Sequence, residues 1–149
     1  MGAERGSPTD ETQAGNPIEE EMRAKRAIKF AEKEHQENLD RARDLTDVSK
    51  ELLAAFKKKN GLDREDNKKL DRLEKLSKRI RSDAGGSEDE VSIEKPPADL
   101  STAMCQLGEV SESLRNKVEK TPRQVVSASV IAESNVLLEL IRIVRSFSH

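Results

Sequence analysis

The stretch from Pro122 to His149 constrains this chain most, because it gathers the large apolar side chains that the rest lacks. Val125, Val126, Val130, Ile131, Val136, Leu137, Leu138, Leu140, Ile141, Ile143, Val144 and Phe147 all fall within it. Glu133, Glu139, Arg142 and Arg145 interrupt the run, so it does not read as a membrane span. Thr121-Pro122-Arg123-Gln124 reads as a helix start, with Thr121 as N-cap, Pro122 at the first helical position and Gln124 closing a capping box. The β-branched run Val125–Ile131 would pass locally for a strand. The cap and the helical spacing of the later apolar positions decide for a helix over about 122–147.

On a helical wheel that helix is apolar over about half its circumference, the width expected of a helix with at least two neighbours. Val126, Val130, Leu137, Leu140, Ile141 and Val144 lie at the centre of the arc, with Val125, Val136, Ile143 and Phe147 on one flank. Ile131 and Leu138 protrude on the other side, and Glu133 falls inside the arc. These three are the candidate interface positions. A buried Glu133 needs a partner, because an unpaired carboxylate away from water is costly; a salt bridge to another helix is expected.

The rest of the chain is highly charged. Charged residues make up 38% and hydrophobic ones 34%, with no Trp or Tyr, a balance that suits a helical bundle or coiled coil better than a thick globular core. Residues 1–16 read as a disordered tail. Pro17 stands at the start of a helix over about 17–59, with Glu19, Glu20 and Glu21 at the favourable end of its dipole. Ala24, Ala27, Phe30, Ala31, Ala42, Leu45, Val48, Leu52, Ala55 and Phe56 share one face. Glu34, Asn38 and Arg41 interrupt it, so either a polar layer or a break is expected midway.

Asn60-Gly61 stops that helix, and Asp63 with Asp66 caps the next, over about 63–83. Its seam, Leu70, Leu73, Leu76 and Ile80, is wide enough for one partner helix. The short connection makes the two an antiparallel hairpin. Gly85-Gly86 ends it, and residues 84–98 form an acidic Gly/Pro linker. Asp99 caps a helix over about 99–120, with Leu100, Ala103, Met104, Leu107, Val110, Leu114 and Val118 in nearly heptad spacing. Gly108 in that helix suggests a close approach to another backbone. The fold expected is therefore all-α: two antiparallel helical hairpins in an elongated four-helix bundle, with a disordered N-terminal tail and an acidic linker.

No residue set carries recognisable chemistry. Glu32 and His35 have the spacing of one half of a di-iron site, but such a site needs a second pair, and the other histidine is His149. Cys105 has no second cysteine to pair with and no histidine near it in sequence. The expectation is a non-enzymatic protein without metal, cofactor or small-molecule ligand. A lone cysteine and no apolar leader point to the cytoplasm, or to export if a longer precursor begins upstream of Met1.

Net charge is −2, but the charge is unevenly spread: residues 50–81 hold 12 basic and 6 acidic side chains, and residues 82–120 hold 4 and 9. Oppositely charged blocks attract each other first. The basic hairpin of residues 57–81 is the one candidate surface for phosphate or nucleic acid, through Lys57, Lys58, Lys59, Lys68, Lys69, Arg72, Arg79 and Arg81. Interleaved acids and the absence of any nucleic-acid-binding motif make a solvated face the plainer reading. The leading expectation is a helical interaction or scaffolding protein that self-associates, with nucleic acid as the alternative partner.

Overall fold

The computed structural model describes residues 16–87, 93–122 and 126–147. Among the described residues the fold is all-helical, without strands, and consists of α1 (Pro17–Lys59), α2 (Arg64–Asp83), α3 (Leu100–Lys120) and α4 (Ala128–Phe147). The chain falls into two units, Met1–His35 and Gln36–His149. Most of the expected N-terminal tail, residues 88–92 of the linker, residues 123–125 and residues 148–149 lie outside the described residues.

Local chemistry accounts for most helix ends. Asn16 caps α1: its Oδ1 accepts from the Glu19 amide at 3.1 Å, and Pro17 holds the first position, where its missing N–H costs nothing. α1 is helical throughout, with no break at Glu34, Asn38 or Arg41. It ends where Asn60 turns left-handed at φ 57, a conformation asparagine tolerates better than most residues. The capping box opening α2 is complete, with the Asp63 and Asp66 side chains each accepting from the other's amide at 3.0 Å.

α2 closes on a Schellman turn: Gly86 donates to the Arg81 carbonyl and Gly85 to that of Ser82, with Gly85 at φ 91, where a side chain would be strained. Asp99 caps α3 through the Thr102 amide at 2.8 Å. That hydrogen bond lowers the Asp99 carboxyl below its ordinary range.

The start of the last helix differs from the expectation. Thr121 belongs to the end of α3, where its hydroxyl donates to the Lys117 carbonyl at 2.7 Å and its amide to Val118. Thr121 therefore closes α3, and Pro122 after it is not helical. Ser127 takes that role: its Oγ accepts from the Val130 amide at 3.2 Å and its carbonyl from Ile131. α4 accordingly begins at Ala128, and Val126, expected at the centre of the apolar arc, is 73% exposed.

Within Gln36–His149 one core takes side chains from all four helices. Leu45 and Leu52 of α1, Leu70, Leu73 and Ile80 of α2, Met104, Leu107 and Leu114 of α3, and Leu137, Leu140 and Ile141 of α4 are all fully buried in it. α4 packs on both α2 and α3, which is why its apolar arc is the widest. The arc includes buried Ser134 and Asn135, each satisfied: Ser134 donates to the Val130 carbonyl, and Asn135 accepts from Arg81 at 2.9 Å.

The linker's described ends are packed too, with Pro97 buried and Ile93 resting on the core. Within Met1–His35 the described residues bury little: only Ala31 is covered, while Ile18, Met22, Ile28 and Phe30 are 70%, 51%, 49% and 65% exposed. The apolar face expected along the whole of α1 is thus buried from Ala42 onward, and Phe30 is not part of the core.

Candidate functional site

The basic hairpin is largely neutralised by its own chain. Lys59 bonds Asp63 at 2.5 Å and Asp66 at 2.8 Å. These hydrogen bonds raise Lys59 above its ordinary value, and the bonds that Lys59 and the Asp66 amide each donate to Asp63 pull its carboxyl down to about 2. Lys68 pairs with Glu65, Lys69 with Glu51 of α1, Arg72 with Asp44 of α1 and Arg79 with Asp83. Arg81 is turned inward to Asn135. Of the eight cations named from sequence, only Lys57 and Lys58 are held by neither an ion pair nor a side-chain hydrogen bond among the described residues. Two lysines at a turn are a small electrostatic footprint for a polyanion.

The three α4 positions also find partners within the chain. Glu133 is paired with Lys117 of α3 at 3.3 Å, its side chain 18% exposed. Ile131 and Leu138 are half-buried against the core, and Ile131 lies over Gly86 so closely that an added Cβ there would meet its Cγ1 and Cγ2 at 2.7 Å. α4 is therefore mainly a core helix.

Sequence periodicity did not reveal a groove between α1 and α3 of about 380 Å³, lined by Thr46, Ser49, Lys50, Leu53, Cys105, Gly108, Glu109 and Glu112. Gly108 marks it, though not through close backbone approach: its neighbours are side chains, Leu53 Cδ2 and Ser49 Oγ, at 3.6 and 4.0 Å from where a Cβ would stand. Cys105 is exposed at its edge. Ser77, Ser111 and Ser134, also buried, each donate to the carbonyl four residues back. Among the described residues the buried Ser49 hydroxyl has no hydrogen-bond partner.

None of these places assembles a reacting set. Among the described residues no group of three or more His, Cys, Asp or Glu is placed to hold a metal ion, and no described helix is long and apolar enough to cross a membrane. The chain matches no family model, no curated protein and no solved structure.

Proposed function

We propose that this protein is a non-enzymatic helical interaction or scaffolding protein that self-associates, and that its helices form an elongated four-helix bundle of two antiparallel hairpins. The observation carrying the reading is the Pro17–His35 portion of α1. It holds helical geometry from a capped start, yet leaves Ile18, Met22, Ile28 and Phe30 at least 49% exposed. Exposed large apolar residues concentrated in one segment mark a surface that meets another molecule. Helix surfaces of this kind are buried by other helices.

α4 is the weaker choice for this role, since its apolar arc is occupied by the core. The test is the full-length chain with Ile18, Met22, Ile28 and Phe30 all changed to Ser, compared with wild type by light scattering. The variant should lose concentration-dependent mass while keeping its helical circular dichroism. Unchanged association in the variant would remove this segment from the account.

A further inference from the structure

Within Pro17–His35, helical spacing puts Ile18, Met22, Arg26, Lys29 and Lys33 in one stripe, apolar over its first two turns and basic beyond them. All five are exposed, and among the described residues the three cations make no ion pair and no side-chain hydrogen bond. Their neighbours Arg23 and Lys25 are already held, by Glu19 and Glu21. Among the described residues no other segment combines several exposed large apolar side chains with unpaired cations.

The α1/α3 groove has the complementary features. Leu53 and Gly108 form its floor, and Cys105 is exposed at its edge. At the rim Glu109 and Glu112 from α3 outnumber Lys50 from α1, and none of the three is paired among the described residues. Glu109 and Glu112 stand three residues apart, as Arg26 and Lys29 do, so each pair lies within one turn of a helix face. The lining runs along residues 46–53 and 105–112, about 10 Å of each helix. That is an open cleft between two helices, of a shape that a third helix fills.

We infer that the Pro17–His35 helix of one copy docks into the α1/α3 groove of a second copy. The convex helix enters the concave cleft with its apolar turns on the floor and its cations on the acidic rim. An acidic rim alone would accept any cation. Ile18 and Met22 precede the cations on the same stripe, so the segment needs an apolar floor beside an acidic rim, and the groove has both. The inference rests on the self-association proposed above and adds what the exposed segment meets.

Two full-length variants test it by light scattering: Glu109→Lys/Glu112→Lys, which makes the groove basic, and Arg26→Glu/Lys29→Glu, which makes the stripe acidic. Each alone sets like charges against each other and should stay at the 16.7 kDa chain mass. In an equimolar mixture every segment finds a groove of opposite charge, and the mass should rise with concentration as in wild type. All four residues are exposed and unpaired among the described residues, so helical circular dichroism should be unchanged in both variants. A mixture that fails to assemble overturns the inference. So does a groove variant that associates like wild type; if the Ser variant of Ile18, Met22, Ile28 and Phe30 is then monomeric, the segment keeps its proposed role and meets some other face. A wild type that stays monomeric overturns this inference and the self-association together.

Discussion

Gly86 and Ile131 lie in such close contact that a single methyl group would not fit between them: a Cβ on Gly86 would stand 2.7 Å from both Cγ1 and Cγ2 of Ile131. The contact joins the end of α2 to the first turn of α4, and the Ser127 amide reinforces it by donating to the Ala84 carbonyl at 3.4 Å. Gly86→Ala should therefore destabilise the protein by roughly 1–3 kcal/mol, the usual cost of overpacking. Chemical denaturation measures this. Ile131→Ala in the same chain should recover part of the loss, giving a favourable coupling in a double-mutant cycle.

Gly108 should behave in the opposite way. It sits inside α3, its φ is not left-handed, and an added Cβ would make ordinary contact with Leu53 and Ser49. Gly108→Ala should stabilise α3 by up to about 1 kcal/mol through helix propensity, seen as a raised thermal midpoint. A lowered midpoint would mean that the groove floor is tighter than these distances state.

The Lys59–Asp63–Asp66 cluster gives a pH signature. Asp63 titrates at about 2 in the folded chain against an ordinary 3.8, because Lys59 and the Asp66 amide hydrogen-bond its charged form. A depressed folded pKa contributes stability above the ordinary value, and that contribution is lost as pH falls through the folded one. Asp63→Asn keeps a capping oxygen but not the charge. It should be less stable than wild type at neutral pH, and the difference should close as pH drops from 3.8 to about 2. A difference that stays constant over that window would show the cap, not the charge, to be responsible.

Arg145 ties α4 to α2 through Asp71 at 2.5 Å and Glu74 at 2.9 Å. Burial pushes the Glu74 carboxyl up, but hydrogen bonds and charge from Arg145 and Lys78 outweigh it and hold Glu74 below its ordinary value. Arg145→Met should let Glu74 titrate higher, as followed by carboxyl NMR. The stability cost should be no more than about 1 kcal/mol, since these side chains are partly solvated.

Where the sequence was legible, the information was local. Asp63, Asp99, Pro17 and Asn60 each act within four residues of themselves, so the ends of α1 to α3 could be read from residue type alone. Thr121 misled because a threonine before a proline suits the end of one helix as well as the start of the next, and here its hydroxyl and amide donate back to the Lys117 and Val118 carbonyls and close α3. Ser127 offered only a hydroxyl before a β-branched run, without a Glu or Gln at N3 to strengthen the signal. The pairing of Lys69 with Glu51 and Arg72 with Asp44 depends on which helices face each other. Composition shows the two charge blocks but not their register. The groove was invisible for the same reason, since Lys50 and Glu109 lie on different helices and nothing in either pattern marks them as facing.

The central claim is that this chain associates with itself, and light scattering of the full-length wild type over a wide concentration range tests it most directly. The mass should rise with concentration from 16.7 kDa, and stay at that value in the variant with Ile18, Met22, Ile28 and Phe30 changed to Ser. A wild type that holds at 16.7 kDa at every concentration would contradict it.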